Sequence, residues 1–262
     1  MRALSTAATG MMAMELNVQV ISNNLANMTT TSYKRQRAEF QDLLYDHLSR
    51  VGTQTSAQGN MLPVGIDLGS GVKTVGTARL MQQGNLTQTT NPFDVAIRGD
   101  GFFKIQLPDG TYTYSRDGSF KTDAQGRIVT AQGNVVQPAI TIPANSTGMT
   151  INAQGQVSVI PTGSTTPTIL GQLTSTRFIN PAGLLPIGDN MYQETPASGT
   201  PQDGLAGTDG AGDLQQGMLE QSNVDSVTEI TNLITAQRAY EMNSKVISAA
   251  DQMLQATSNL MR

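Results

Sequence analysis

Hydrophobic residues alternate at spacings of three and four near both ends of the 262-residue chain, with polar residues between them. The alternation runs from Leu4 to Met28 and, near the carboxyl end, from Leu233 to Met261. This seven-residue periodicity predicts a helix at each end that packs as in a coiled coil. The side chains that we expect at subunit interfaces are Leu4, Met11, Met14, Val18, Ile21, Leu25, Leu233, Tyr240, Ile247, Leu254 and Met261.

The first helix has few of the charged flanking residues that keep an isolated helix pair soluble. Residues 1–28 contain only two charged side chains, Arg2 and Glu15. A further heptad row in the second helix consists of Ala239, Val246, Met253 and Leu260. Because the chain leaves the first helix and later returns, we expect the two helices to pair antiparallel and to pack on further copies of the chain. The alternative is that both are core helices of a monomer.

Short runs rich in β-branched and aromatic residues fill the chain between the helices, most densely from Val95 to Gln137. They are separated by Asp-Gly and Gln-Gly pairs whose glycines are eight, eight and seven residues apart. Turns this close together predict antiparallel strands, since parallel strands need a longer crossover.

The predicted fold class is therefore α+β. Residues 1–30 and 224–262 form the terminal helices, paired as an antiparallel coiled coil. Residues 31–76 form an extended arm, and residues 77–223 form a central antiparallel all-β domain.

Polar composition predicts two irregular segments within this division, a loop or hairpin at residues 49–76 and a solvated linker at residues 195–217. Asn223 and Ser226 are candidate N-caps of the second helix. Ser226 and Glu229 have the spacing of a capping box, in which the glutamate bonds back to the start of the helix.

Composition excludes several classes of function. The net charge of -4 disfavours nucleic acid as a partner, because phosphate binding needs a basic face. The chain has no cysteine and a single histidine, His47, so no catalytic pair or thiolate zinc site is indicated. We therefore predict no enzymatic activity, no cofactor and no metal. The neighbouring cations Lys34, Arg35 and Arg37 are interpreted as a solvated face.

Membrane and export signals are also missing from the hydropathy pattern. No stretch approaches the roughly 18 apolar residues that indicate a membrane-spanning helix. The amino end has apolar residues spaced along a helix face, not the apolar cluster of a cleaved secretory signal.

Three motifs in the chain resemble the signatures of bacterial flagellar rod and hook proteins. The amino-terminal motif lies at residues 22–34, the central one at residues 99–133, and the carboxyl-terminal one at residues 221–245. The motif residues that we single out are Asn23, Asn24, Ala26, Asn27, Tyr33, Lys34, Gly99, Gly101, Phe102 and Phe103. The family motif usually has glycine where this chain has Ser32, and a left-handed backbone there would cost serine about 1 kcal/mol.

The resemblance implies a structural subunit that polymerises helically into the rigid flagellar rod. The stretch at residues 49–76 resembles an insertion that distinguishes the distal rod type from the hook. The implied partners are further copies, proximal rod proteins, the hook and hook junction, the P and L ring proteins and the flagellar export apparatus. The implied location is the basal body, spanning the periplasm, after export without a cleaved signal peptide. A proximal rod or hook subunit and a secreted β-rich adhesin remain alternatives.

Overall fold

The computed structural model describes residues 2–49, 64–163, 166–208 and 210–260. Part of the predicted arm, residues 50–63, and the predicted interface residue Met261 lie outside the described residues. The chain divides into two compact units. We call Met1–Ala26, Gln36–Arg79 and Asp225–Arg262 the helical unit, and Asn27–Arg35 and Leu80–Val224 the β unit.

Within its described residues, the helical unit contains the two predicted helices and four strands. Helix α1 spans Arg2–Ala26 and helix α2 spans Ser226–Leu260. The strands are β1 (Gln36–Asp42), β2 (Tyr45–Ser49), β3 (Ile66–Gly69) and β4 (Val72–Arg79). Strand β1 pairs antiparallel with β4, and β2 pairs antiparallel with β3. Helix α1 contacts α2 and also contacts β1 and β4, so it is the central element of this unit.

The start of α2 differs from the prediction. Asp225 caps the helix, because its carboxylate accepts a hydrogen bond of 2.7 Å from the Thr228 N–H. Neither Asn223 nor Ser226 is the N-cap residue, and the side chain of Glu229 is buried and bonds to α1. The capping-box prediction is therefore wrong, because the helix is capped one residue earlier, by Asp225.

The part of the β unit that the structure describes has sixteen short strands and one 3-10 turn at Pro181–Gly183. The strands are β5 (Leu86–Gln88), β6 (Val95–Arg98), β7 (Phe103–Gln106), β8 (Tyr112–Ser115), β9 (Lys121–Thr122), β10 (Ile128–Val129), β11 (Val135–Gln137), β12 (Ser146–Ile151), β13 (Gln156–Pro161), β14 (Thr168–Gln172), β15 (Thr174–Arg177), β16 (Leu185–Gly188), β17 (Met191–Gln193), β18 (Gln202–Leu205), β19 (Asp213–Gln216) and β20 (Met218–Glu220). A seven-stranded sheet has the order β16-β17-β8-β7-β11-β10-β9, and a three-stranded sheet has the order β12-β13-β14. All of these pairings are antiparallel, as the turn spacing predicts.

The interior of the β unit has two hydrophobic clusters, and two adjacent aromatic residues belong to one each. Phe103 belongs to the larger cluster, with Val95, Ile97, Phe120 and other aliphatic side chains. Phe102 belongs to the smaller one, where it meets Phe178 edge to face at 5.8 Å between ring centroids. Neighbouring residues in extended backbone point to opposite sides, so the pair Phe102-Phe103 supplies both clusters.

The predicted solvated linker at residues 195–217 is not a linker. Strand β18 pairs with β15, and β19 pairs with β6. Ala206 and Leu214 are buried in the larger hydrophobic cluster. Glycine-rich composition gave the wrong prediction because two buried side chains, Ala206 and Leu214, are enough to hold this stretch in the core although Leu205 is exposed.

No helix among the described residues is both long enough and apolar enough to cross a membrane.

Candidate assembly interface

Helices α1 and α2 run in opposite directions and approach closely through small side chains. Near the end of α1, Asn24 donates a hydrogen bond of 3.1 Å to Glu229 at the start of α2. Farther along, a Cβ on Gly10 would lie 2.8 Å from the Asn243 side-chain nitrogen. The small residues Ala7, Ala13, Ala236 and Ala250 are buried. The helical unit therefore has the antiparallel arrangement that the sequence predicts, whereas its packing as a coiled coil stays a prediction.

The predicted interface residues differ in exposure. Ile21 is buried, whereas Tyr240 and Leu254 are 43% and 45% exposed. The half-buried members are Leu4, Met11, Met14, Val18, Leu25, Leu233 and Ile247. Leu4, Met11, Val18 and Leu25 are seven residues apart, so they form one half-exposed apolar stripe along α1. Hydrophobic surface of this kind is available for contacts with other molecules.

Asn24 joins three segments of the helical unit. Its side-chain amide donates to the Gln36 carbonyl at 2.8 Å as well as to Glu229, and its oxygen accepts the Gln36 N–H at 2.9 Å. Asn24 itself is buried. The other motif residues of α1, Asn23 and Ala26, are exposed. One asparagine thus fixes the start of β1 and the start of α2 against the end of α1.

A buried ionic cluster joins three distant segments of the β unit. Lys34 lies 2.5 Å from one oxygen of Glu220, and the Arg116 guanidinium lies 2.8 Å from the other. Lys34 also donates to the Gln82 carbonyl, and Glu220 also accepts the Gly84 N–H. Hydrogen bonds between charged groups are stronger than those between neutral groups. The cluster therefore holds strand β20 against the segment before β1 and the segment after β8.

The electrostatics of this cluster follow from one carboxylate facing two cations. Burial lowers the pKa of Lys34, and the nearby charge of Arg116 lowers it further, against the opposing effect of Glu220. Burial alone would raise the pKa of Glu220. The charges of Arg116 and Lys34, with their hydrogen bonds, instead hold it below its usual value.

Ser32 has the left-handed backbone that is expected where the family motif has glycine, with φ of 56°. Its N–H donates to the Glu220 carbonyl and its hydroxyl donates to the Arg116 carbonyl, both at 2.8 Å. The hydroxyl bond offsets part of the cost of the left-handed conformation. The family-motif residue Tyr33 is also buried, and Asn27 accepts a hydrogen bond of 3.1 Å from the Thr30 hydroxyl.

Two glycines of the central motif adopt backbone conformations that favour glycine. Gly99 has φ of 109° and Gly101 has φ of 145°. A Cβ on Gly101 would overlap the hydroxyl of Ser175, which is itself buried. These glycines let the chain turn directly before Phe102 and Phe103.

The prediction that Lys34, Arg35 and Arg37 form a solvated face is wrong for Lys34, which is 0% exposed. Arg37 is exposed and pairs with Glu39, as predicted for a surface cation. Sequence reasoning also missed Arg116, Glu220 and Glu229 as partners of the amino-terminal motif. Each of these residues lies in or beside one of the three motifs, which could have marked it as a candidate. The spacing of the residues along the chain does not show which of them contact one another.

Lys34, Arg116 and Glu220 pair with one another in the interior of the β unit. The described residues include no group of three or more histidine or acidic side chains that could hold a metal ion. The helical unit exposes large apolar side chains, among them Met12, Leu44 and Tyr240. This arrangement suits contact with another protein.

Comparison with known proteins agrees with the three motifs. Residues 4–34 match the flagella basal body rod protein family, residues 96–159 match the flagellar hook protein FlgE/F/G D1 domain, and residues 215–260 match the flagellar basal body rod FlgEFG protein C-terminal family. These matches place the clusters around Lys34, Arg116 and Asn24 in stretches that the family shares.

Similarity to individual proteins extends along the whole chain. The flagellar basal-body rod protein FlgG of Caulobacter vibrioides is 55% identical over 99% of both chains. FlgG of Buchnera aphidicola subsp. Acyrthosiphon pisum is 49% identical over 96% of both chains. FlgG of Borreliella burgdorferi is 48% identical over 100% of this chain and 99% of its own. The chain therefore belongs to the family of flagellar basal-body rod proteins.

Proposed function

We propose that the chain is a structural subunit that polymerises helically into the rigid, tubular distal rod of the bacterial flagellum and transmits torque from the motor to the hook. The observation that carries the proposal is the end-to-end similarity to flagellar basal-body rod proteins. This similarity favours a rod subunit over a hook subunit or a secreted adhesin. The proposed role involves no catalysis and no cofactor.

The surface of the helical unit supports polymerisation. The α1 stripe of Leu4, Met11, Val18 and Leu25 is half-exposed, and Tyr240 on α2 is exposed. In a polymer, neighbouring copies would cover these side chains, and each one covered gains roughly 1 to 2 kcal/mol. We propose that the two helices and their copies pack together as in a coiled coil, with the predicted interface residues at the contacts.

The proposed partners follow from the same relationship. They are further copies of the chain, proximal rod proteins, the hook and hook junction, the P and L ring proteins and the flagellar export apparatus. The proposed place is the basal body, with the rod spanning the periplasm, and the proposed route is export without a cleaved signal peptide.

Electron microscopy of the purified protein at high concentration tests the proposal. We expect straight tubes, and a chain that stays monomeric at every concentration contradicts the proposal. Removal of residues 49–66, most of which lie outside the described residues, should give flexible tubes if this stretch stiffens the rod. A matched control replaces residues 50–63 by a Gly-Ser linker of equal length, which separates the effect of sequence from that of length.

A further inference from the structure

The carboxyl-terminal part of α2 extends beyond the start of α1. Gly10 lies opposite Asn243 and Asn24 lies opposite Glu229, so each step toward the start of α1 matches one step toward the end of α2. By this register, Arg2 lies opposite Asp251. Residues 252–260, which we call the overhang, remain helical for about 13 Å farther, at 1.5 Å per residue.

The overhang continues the face of α2 that packs on α1. Leu254 is eighteen residues, or five helical turns, beyond the buried Ala236, so both side chains point in the same direction. Leu254 is nevertheless exposed because it lies beyond the first residue of α1. The adjacent Met253 is 64% exposed. Residues 252–260 carry no charged side chain. The overhang is thus an uncharged continuation of an established helix contact.

An apolar groove lies beside the start of α1, within the same unit. It has a volume of about 730 Å³ and lies between α1, α2 and the paired strands β2 and β3. Its apolar lining consists of Ala3, Ala7, Leu44, Tyr45, Leu68 and Val246. Leu44 is 87% exposed. An exposed leucine at the mouth of a groove is unfavourable in an isolated chain, and a hydrophobic partner removes this cost.

The groove cannot be filled by the overhang of the same chain. Asn243 and Val246 of α2 form one wall of the groove, and α2 continues from them as an unbroken helix to Leu260. Because α2 forms the wall and its axis continues straight past it, the overhang of the same chain could enter this groove only if the helix broke.

We propose that the overhang of one copy docks in the groove of a neighbouring copy, with Met253 and Leu254 against Leu44, Tyr45 and Leu68. This inference rests on the proposed function, since it assigns one contact of the polymer. The two surfaces differ, so the contact is heterologous, and with an offset along the helix axis it repeats from copy to copy as an open helical assembly. If neighbouring copies keep their helices parallel, the contact offsets them by roughly 10 to 16 Å along the helix axis, at 1.5 Å per residue.

Thiol cross-linking tests this contact directly because the natural chain has no cysteine. One preparation carries Leu44→Cys and the other carries Leu254→Cys. They are mixed, polymerised and treated with a short thiol-specific cross-linker. We expect a mixed covalent dimer in the polymer and none in dilute monomer. Gln255→Cys replaces Leu254→Cys in the matched control, since it lies one residue away on a different side of the helix, and its yield should be severalfold lower.

Amide exchange on the unsubstituted polymer gives an independent measurement. Residues 252–260 should exchange rapidly in the monomer and slowly in the polymer. Polymers that show neither the cross-link nor this protection overturn the docking inference and leave the proposed function intact. Failure of the natural chain to polymerise overturns the proposed function itself.

Discussion

Lys34 Nζ lies 2.5 Å from Glu220 Oε1, and both side chains are almost completely excluded from solvent. The two residues are 186 positions apart, in the amino-terminal and carboxyl-terminal parts of the β unit. Arg116 supplies the second positive charge on the same carboxylate. Removal of Glu220 would leave two buried cations without a counter-charge, so its carboxylate is the member on which the other two depend.

Glu220→Gln should destabilise the β unit by about 3 to 5 kcal/mol, because Lys34 and Arg116 would stay buried with no negative charge between them. Urea unfolding followed by circular dichroism measures this change.

The matched control for this substitution is Asp213→Asn, which breaks the ion pair of Asp213 with the largely exposed Arg98 in the same unit. We expect a much smaller change, because water and salt screen exposed pairs. If Lys34→Met combined with Glu220→Gln is no more stable than Glu220→Gln alone, the unpaired-charge explanation is wrong.

The cluster also predicts a loss of stability in acid. The folded pKa of Glu220 lies below its usual value of 4.5, so the unfolded chain binds a proton at higher pH than the folded chain does. Stability from this group is complete above pH 4.5 and declines as the pH falls through the folded pKa. Unfolding free energies measured from pH 6 down to about pH 3 should decline more steeply for the natural chain than for Glu220→Gln. Equal slopes would show that other carboxylates are responsible.

The sequence predicted both helices, their antiparallel direction and the antiparallel strands. These features depend on local periodicity and turn spacing, which a single sequence displays. The seven-residue rows near Leu4 and Leu233 and the glycines from Gly110 to Gly133 were sufficient.

The buried polar contacts could not be predicted in the same way. Lys34 looks like a surface residue because it stands beside Arg35 and Arg37, and its partner is far away in the chain. Likewise, Glu229 fits a capping box by spacing, but α1 brings Asn24 within 3.1 Å of it. Contacts of this kind depend on which segments the fold brings together, and spacing along the chain does not contain that information.

Ser32 permits a test of backbone strain against a hydrogen bond. Ser32→Gly should change stability by less than about 1 kcal/mol, because relief of the left-handed strain offsets the lost bond to the Arg116 carbonyl. Ser32→Ala keeps the strain and loses the bond, so it should be about 1 kcal/mol less stable than the natural chain. Urea unfolding of the three proteins compares them. Equal stability of Ser32→Ala and the natural chain would mean that the hydroxyl bond contributes nothing.

Gly10 and Asn243 should be energetically coupled. Gly10→Ala favours the helix by about 1 kcal/mol in isolation, but its methyl group would lie 2.8 Å from the Asn243 amide. Because the Asn243 amide can rotate away only at some cost, we expect Gly10→Ala to stabilise the helical unit by less than about 1 kcal/mol in the natural chain and by more when Asn243→Ala is present. Thermal unfolding of the four proteins in this double-mutant cycle measures the coupling. Additive effects would show that the helices are farther apart at this point.

Substitution of Tyr240 tests the predicted interface, because this side chain is 43% exposed in the single chain. Tyr240→Ala should destabilise the monomer by only about 1 kcal/mol, because the side chain is partly covered there. In the polymer, loss of a covered tyrosine costs about 1.4 kcal/mol or more, which raises the critical concentration at least tenfold. Sedimentation of polymer across a concentration series measures this value. Lys245→Ala is the control, since Lys245 is exposed and lies about 140° from Tyr240 around α2. A similar rise for both variants would argue against an interface at Tyr240.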